Sequence, residues 1–225
     1  MIKAVVFDLD GTLITFNLDI KSCRTEIIKR LSQRGFPQNL FSLRETAFDM
    51  LVKVKQQMET TGFDEQRFQE IRKMVFSVVE SHELQSAKTT QMFEGVPHTL
   101  NSLRAMKLKI GLCTISGEKA TSYSLTRFQV GHLFDAVITR DLVPEVKPNP
   151  IHLEATLKAL DVKPHEAVLV GDSTKDMACA AKVNVLAVGV TTGLSSKDSL
   201  INAGANYVMS SVNYILPILE QLNRK

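Results

Sequence analysis

Short apolar segments that alternate with helical segments constrain the fold of this chain more than any other feature. The predicted strands are Lys109–Thr114, Ala136–Thr139, Ala167–Gly171, Val185–Gly189 and a weaker Tyr207–Met209. A helix is predicted over Ile151–Leu160, with Asn149 as its cap and Pro150 at its first position. Strands that alternate with helices form a parallel sheet covered on both faces. The sequence therefore predicts an α/β fold.

One more strand, Ala4 to Phe7, lies near the start of the chain, and the segment that follows it has a helical pattern. Apolar residues recur there at helical spacing in three places, residues 27–31, 43–58 and 68–79. Amphipathic helices of this kind pack on one another as a small bundle. We expect residues 1–15 and 93–225 to form the α/β core, and residues 16–92 to form a helical domain inserted into it.

The composition is that of a globular protein in a reducing compartment. Hydrophobic residues make up 44% and charged residues 23% of the chain, and the net charge is +3 without a cluster of basic residues, which disfavours nucleic-acid binding. No apolar run has the roughly 18 to 20 residues of a membrane span, and the first residues have a strand pattern instead of that of a signal peptide. Cys23, Cys113 and Cys179 are far apart in sequence and are expected to be buried apolar residues.

Polar side chains are expected at the carboxyl ends of the strands, where the chemistry of an open parallel sheet gathers. Asp8 and Asp10 follow the first strand. Because residues two apart in extended backbone share a face, their carboxylates are expected to crowd one spot. Their repulsion requires a nearby cation or a proton on one of them. The further polar groups are Thr114, Lys147, Asp172, Ser173 and Asp176.

This set of groups suits phosphoryl transfer. A carboxylate can attack phosphorus, and Mg²⁺ binds carboxylate and phosphate oxygens. Lys147 would supply a fixed positive charge, while Thr114 and nearby backbone N–H groups would donate to the phosphoryl oxygens. Asp10 could protonate the leaving oxygen and later deprotonate the attacking water. Gly11 would let the chain turn sharply and bring Asp10 back towards the site.

Four motifs resemble those of the haloacid dehalogenase (HAD) superfamily. They are DLDGTL from Asp8, the strand that ends in Thr114, Lys147-Pro148-Asn149-Pro150, and GDSTKDM, which contains Asp172 and Asp176. They come in the family's order and span residues 8–176, so the resemblance covers the whole predicted core. Each motif alone is weak, but the set is highly specific.

The resemblance implies a Rossmann-like parallel-sheet core with an α-helical cap, residues 16–92, that chooses the substrate. It implies that Asp8 is the nucleophile and Asp10 the general acid/base. The implied phosphate-binding residues are Thr114, Ile115 and Lys147. The implied Mg²⁺ ligands are Asp8 through its side chain, Asp10 through its backbone carbonyl, and Asp172. The supporting residues are Gly11, Thr12, Ser173 and Asp176. For Asp176, a place near the metal, a contact with Lys147 and a solvated carboxylate at a helix start all stay open.

Two positions refine the resemblance. True dehalogenases of this family lack an acid two residues after the nucleophile, so Asp10 favours a phosphatase. Many relatives have Asn where this chain has Ile115, so one polar contact, to the substrate or to the loop of the nucleophile, is expected to be missing. The position of the cap resembles the phosphoglycolate phosphatase-like and β-phosphoglucomutase-like branch, which handles small phosphorylated metabolites.

We therefore expect a cytoplasmic, Mg²⁺-dependent phosphatase that hydrolyses a small phosphorylated metabolite through an aspartyl-phosphate. Its state is expected to be a monomer or homodimer, without nucleic-acid or membrane partners. A phosphomutase with the same intermediate stays open, because the motifs do not separate the two. A phosphate-sensing regulatory protein is disfavoured, since receiver domains are shorter and carry the acceptor aspartate on a later strand. Neither GxGxxG nor GxxxxGK[ST] follows a strand, which disfavours dinucleotide and P-loop enzymes.

Overall fold

The computed structural model of the chain describes residues 1–224, which divide into two compact units. The first, called here the core unit, comprises Met1–Phe16 and the chain from Thr89 onward. The second, the helical unit, comprises Asn17–Lys88. Among the described helices, none is both long enough and apolar enough to cross a membrane.

The core unit is built on a six-stranded sheet whose neighbouring strands are all parallel. The strands are β1 (Ala4–Phe7), β2 (Lys109–Cys113), β3 (Ala136–Ile138), β4 (Ala167–Gly171), β5 (Leu186–Val190) and β6 (Tyr207–Met209). Their order in the sheet is β3-β2-β1-β4-β5-β6. In this register Phe7 of β1 lies opposite Leu112 of β2 and Val170 of β4. The residues that follow β1, β2 and β4 therefore emerge side by side at one edge of the sheet.

Helices cover both faces of the sheet. The helices on one face are α4 (Val96–Ala105), α5 (Glu118–Arg127) and α9 (Ile215–Asn223), and those on the other are α6 (Pro150–Leu160), α7 (Thr174–Val183) and α8 (Lys197–Asn202). Because side chains alternate along a strand, Val5 and Phe7 pack in the first layer while Ala4 and Val6 pack in the second. β1 is consequently buried on both sides, as expected for a central parallel strand.

The helical unit consists of three helices that share one apolar cluster. They are α1 (Ile20–Ser32), α2 (Ala47–Thr61) and α3 (Glu65–Ala87), and they begin after the caps Asp19, Thr46 and Asp64. Each contributes fully buried side chains to the cluster, among them Leu31, Val54 and Val75. This shared burial stabilises the helices, since most helical stability in proteins comes from the packing of an amphipathic face.

The predicted α/β fold is confirmed, and the strand boundaries predicted from sequence lie within one residue of those observed. The helix predicted over residues 43–58 is wrong at its start. Thr46 and Asp49 form a capping box, in which the Asp49 N–H donates to the Thr46 hydroxyl at 3.2 Å and the Thr46 N–H donates to the Asp49 carboxylate at 2.9 Å. The helix therefore begins at Ala47, and Leu43 lies outside it with 42% of its surface exposed.

The three cysteines are buried, as the sequence predicts. Burial raises the pKa of the Cys113 thiol to about 12 and that of the Cys179 thiol to about 11. Neutral thiols are poor nucleophiles, so these residues serve packing.

Candidate active site

Asp8 is the first residue after β1 and is buried, with 6% of its surface exposed. Its backbone N–H donates to the carbonyl of Val170 in β4 at 2.9 Å, which fixes the residue at the edge of the sheet. The chain then reverses at Gly11, whose φ is +83° and whose N–H donates to the carbonyl of Ile14 at 2.7 Å. A Cβ atom at Gly11 would lie 2.6 Å from Oδ2 of Asp172, so this turn requires glycine for its conformation and for its closeness to Asp172.

The ammonium group of Lys147 connects three parts of this edge. Its Nζ donates to Oδ1 of Asp8 at 2.7 Å, to Oδ1 of Asp176 at 2.5 Å and to the carbonyl of Cys113 at 2.6 Å. A lysine has three N–H donors, so all of them are used. The side chain is only 2% exposed. Lys147 therefore joins the ends of β1 and β2 to the first turn of α7.

Asp176 holds Lys147 from the opposite side. Its Oδ2 accepts hydrogen bonds from the hydroxyl of Ser173 at 2.5 Å and from the backbone N–H of Ser173 at 3.1 Å, in the capping box of α7. Asp176 is 1% exposed, which excludes the solvated carboxylate that the sequence left open. Both of its oxygens are thus bound within the protein, one by Lys147 and the other by Ser173.

Asp172 follows β4 and is held by the loop that follows β5. Its Oδ2 accepts from the backbone N–H of Leu194 at 2.9 Å. A Cβ atom at Gly193 would lie 1.8 Å from the same oxygen, so the backbone of this loop packs directly on the carboxylate. The hydroxyl of Thr12 lies 3.5 Å from Oδ1 of Asp172 and 3.5 Å from Oδ2 of Asp8, between the two acids.

The buried charges at this edge are unbalanced. Asp8, Asp172 and Asp176 each place one carboxylate oxygen within 4.8 Å of the others, and Lys147 pairs with Asp8 and Asp176, so three ionised carboxylates would exceed the charge of this ammonium by two. Burial raises the pKa of Asp8 well above its ordinary value; Lys147 opposes this rise, while Asp176 and Asp172 add to it. Burial is also the main cause of the raised pKa of Asp172.

The pKa of Lys147 is also raised, which favours its charged form, whereas the raised pKa of Asp8 favours its neutral form. Burial would lower the pKa of Lys147, but the carboxylates of Asp176 and Asp8 raise it well above its ordinary value. Lys147 therefore holds its proton more tightly than an ordinary lysine does. A hard cation with oxygen ligands would relieve the remaining negative charge.

The loop after β2 brings Asp10 to the same edge. Thr114 is fully buried, and its hydroxyl oxygen accepts from the backbone N–H of Ser116 at 3.1 Å. The hydroxyl of Ser116 in turn donates to Oδ2 of Asp10 at 2.6 Å. Ile115 is 37% exposed, and its carbonyl accepts from the guanidinium of Arg140 at 3.1 Å. The carboxylate of Asp10 is thus held by the β2 loop.

His152 fixes the backbone of Lys147. Its Nδ1 lies 3.4 Å from the Lys147 N–H, and its Nε2 lies 3.2 Å from the carbonyl of Ile138. Because a backbone N–H can only donate and a carbonyl can only accept, the ring hydrogen is assigned to Nε2 and the imidazole is neutral. Burial, with the charge of Lys147, lowers the pKa of His152 to about 4. A neutral imidazole therefore connects Lys147 to the end of β3.

The structure brings the residues chosen from the sequence motifs together at the carboxyl edge of the sheet, and it adds contacts that the sequence analysis missed. These are the contacts of Ser116, Arg140, His152 and Gly193. Ser116 carried a usable signal, since it lies two residues beyond Thr114 at the end of a strand. No sequence pattern marks the contact of His152 with Lys147.

A parallel α/β sheet with buried carboxylates and one lysine at its carboxyl edge defines a Rossmann-like α/β protein with a polar site at that edge. The family model described as "haloacid dehalogenase-like hydrolase" matches residues 5–190. The chain belongs to this family, and the predictions of the family and of an enzyme are confirmed.

The chain is also similar to individual proteins along almost its whole length. A pyrophosphatase PpaX from Bacillus mycoides (strain KBAB4) is 27% identical over 222 residues, 99% of each chain. The crystal structure of a hydrolase from Pseudomonas syringae superposes with a TM-score of 0.73 at 21% identity, covering 98% of this chain and 99% of that one. A β-phosphoglucomutase from Clostridium difficile gives a TM-score of 0.70 at 21% identity, covering 100% and 98%. At such identities the two solved structures support the fold.

Proposed function

We propose that this chain is a Mg²⁺-dependent phosphatase that hydrolyses a small phosphorylated metabolite through an aspartyl-phosphate on Asp8. The observation that carries the proposal is the buried Asp8 carboxylate at the carboxyl edge of the sheet, with Lys147 on one of its oxygens at 2.7 Å. A carboxylate so held is oriented for attack and cannot rotate freely. Membership of a hydrolase family and similarity to pyrophosphatases support the reaction class.

The reaction has two halves that use the same two acids. First, a carboxylate oxygen of Asp8 bonds to phosphorus, the bond from phosphorus to the leaving oxygen breaks, and Asp10 gives that oxygen a proton. Then Asp10 takes a proton from water, the water oxygen bonds to phosphorus, and the bond from phosphorus to Asp8 breaks. Orthophosphate leaves, and both acids return to their starting states.

The phosphoryl oxygens are proposed to be bound by Thr114, Ile115 and Lys147. The hydroxyl oxygen of Thr114 accepts from Ser116, so its own hydrogen can be donated to a phosphoryl oxygen. Ile115 would contribute its backbone N–H, since its side chain is apolar and its carbonyl accepts from Arg140. When Asp8 becomes an acyl phosphate its carboxylate charge is lost, and the ammonium of Lys147 can then turn to the phosphoryl oxygens.

Mg²⁺ would be held by the carboxylates of Asp8 and Asp172 and by the backbone carbonyl of Asp10. The donor set fits this ion, because it is made of oxygens and carries excess negative charge. Asp176 belongs to the same cluster, but both of its oxygens are bound by Lys147 and Ser173, so we assign it the role of holding Lys147. When bound, the ion would neutralise charge on the phosphoryl oxygens.

Pyrophosphate is the first substrate to test within the class of small phosphorylated compounds, because relatives at 27% identity are pyrophosphatases. We further propose that the helical unit, residues 17–88, selects the substrate, and that the protein acts in the cytoplasm. A mutase would use the same Asp8 intermediate and pass the phosphoryl group to a sugar hydroxyl, so the assay must detect isomerised sugar phosphates as well as orthophosphate.

The test is phosphate release from pyrophosphate and a panel of small phosphomonoesters, with Mg²⁺ and with EDTA, by the wild-type protein and Asp8→Asn. We expect metal-dependent release that falls at least about 10³-fold in Asp8→Asn, because the variant lacks the nucleophile. The matched control is Asp198→Asn, which removes an exposed carboxylate from the first turn of α8 and should leave the rate unchanged. Undiminished release by Asp8→Asn would refute the nucleophile, and isomerisation without release would indicate the mutase.

A further inference from the structure

We propose that Ser116 is a positioning residue whose hydroxyl orients the carboxylate of Asp10 for proton transfer. The inference rests on the proposed function, which assigns Asp10 to the leaving group and to the attacking water. The hydroxyl of Ser116 donates to Oδ2 of Asp10 at 2.6 Å, the short distance of a hydroxyl bound to a carboxylate. Ser116 is only 9% exposed, so water competes little for this bond.

Ser116 is itself fixed at both of its backbone groups. Its N–H donates to the hydroxyl oxygen of Thr114 at 3.1 Å, and its carbonyl accepts from the backbone N–H of Arg140 at 3.4 Å. The neighbouring carbonyl of Ile115 accepts from the guanidinium of Arg140, whose side chain is 3% exposed. The backbone on both sides of the Ser116 side chain is therefore tied to groups in the interior of the core unit.

A third bond holds the far end of the same loop. Oδ2 of Asp141 accepts from the backbone N–H of Glu118, the first residue of α5, at 2.7 Å. Arg140 and Asp141 follow β3, which neighbours β2 in the sheet. The segment after β3 thus holds the β2 loop from Ile115 to Glu118, which fixes the backbone that carries the Ser116 side chain.

The contact matters because a general acid must lie within hydrogen-bond reach of the oxygen that it protonates. An aspartate side chain has several staggered rotamers, and a bond to one of its oxygens selects among them. Ile115 has an apolar side chain, so the β2 loop does not contact the loop of the nucleophile through the side chain of this residue. The next residue supplies that contact, through Ser116 to Asp10.

The first test compares Ser116→Ala, Ser116→Thr and the exposed control Ser122→Ala in steady-state kinetics. We expect kcat of Ser116→Ala to fall about tenfold with KM changed less than about twofold, because an orientation needed for proton transfer is lost while substrate binding is kept. Thr keeps the hydroxyl and should restore most of kcat, and Ser122→Ala should match wild type. A raised KM at constant kcat would overturn the inference, since Ser116 would then bind the phosphoryl group itself.

The second test is a double-mutant cycle with Asp10→Asn, followed by single-turnover phosphate release. If Ser116 acts through Asp10, adding Ser116→Ala to Asp10→Asn should change the rate less than about twofold. If the two losses multiply, Ser116 acts independently of Asp10 and the inference fails. The melting temperature of each variant separates these effects from loss of folded protein.

A readout without catalysis separates this inference from the proposed function. Crystal structures of wild type and Ser116→Ala should show the Asp10 carboxylate in different rotamers, and an unchanged rotamer would contradict positioning. Failure of the proposed function has another signature, namely no phosphate release from any compound by wild type and no change in Asp8→Asn. The rotamer comparison remains decisive in that case, because it depends only on the contact between Ser116 and Asp10.

Discussion

Replacement of Lys147 by methionine should destabilise the protein far more than any replacement of an exposed lysine. Methionine keeps the length and most of the volume of the side chain, so the change removes charge and hydrogen bonds with little loss of packing. It leaves three buried acceptors without their donor, the carboxylates of Asp8 and Asp176 and the carbonyl of Cys113. Breaking a buried pair by removing one partner costs roughly 3–5 kcal/mol. For a chain of this size that corresponds to a fall of about 6–20 °C in Tm.

The loss of stability in Lys147→Met should depend on pH, and the pKa of Asp8 determines whether it grows or shrinks as pH rises. Burial already raises the pKa of Asp8 above its value in the unfolded chain, and removing the ammonium raises this pKa further. A folded carboxylate that binds its proton more tightly than the unfolded one contributes stability at low pH, and this contribution is lost as pH rises through the folded pKa. The free energy of unfolding that Lys147→Met loses relative to wild type should therefore be larger at pH 8 than at pH 5.

The assay is urea unfolding at both pH values in the presence of EDTA, so that no added cation compensates for the missing charge. Lys182→Met is the matched control. Lys182 is an exposed lysine of α7 whose Nζ donates to the carbonyl of Pro148 at 3.0 Å, and its loss should change stability by less than about 0.5 kcal/mol. A deficit below about 1 kcal/mol for Lys147→Met, or one equal at the two pH values, would refute the reasoning on buried charge.

Two further replacements test groups that hold the site from outside the motifs. Gly193→Ala would place a Cβ 1.8 Å from Oδ2 of Asp172, so we expect the Mg²⁺ concentration for half-maximal activity to rise by about tenfold or more. The control is Gly131→Ala, whose added Cβ would have its nearest contact at 3.6 Å and should leave the Mg²⁺ dependence unchanged. Equal Mg²⁺ titrations of the two variants would contradict this prediction. His152→Phe leaves the Lys147 N–H without its acceptor, while the Ile138 carbonyl keeps its bond from the Thr114 N–H, and it should cost about 1–3 kcal/mol in urea unfolding. His152→Asn keeps an acceptor near Nδ1 and should lose less; equal losses would mean that packing alone matters.

The parts of the fold that could be predicted from sequence are those fixed by local pattern. Strands such as Ala167–Gly171 are short apolar runs between polar segments, and a central parallel strand needs nothing more to be recognised. Leu43 shows the limit of periodicity. It continues the helical spacing of the residues after it, but the capping box at Thr46 makes the helix begin at Ala47, and spacing alone does not identify the cap.

The site was predictable to the extent that sheet topology determines it. Once β1, β2 and β4 are neighbours, the residues after them must meet, which brings Asp8, Thr114 and Asp172 to one edge. The contacts of His152 and Gly193 depend instead on how α6 packs and on the path of the loop after β5. Those details follow from tertiary packing over the whole core unit, and a single sequence carries no local signal for them.

The unbalanced charge at this edge is itself an argument for function. Ionising Asp8 and Asp172 in the folded protein costs free energy, because burial raises the pKa of both. Lys147 offsets part of that cost, but one ammonium cannot neutralise three carboxylates, and a protein selected for stability alone would carry apolar residues here. A site that keeps this strain is one that a ligand completes. The proposed function accounts for both features, because Mg²⁺ would offset the negative charge and the donors of Lys147 and Thr114 would bind the phosphoryl oxygens.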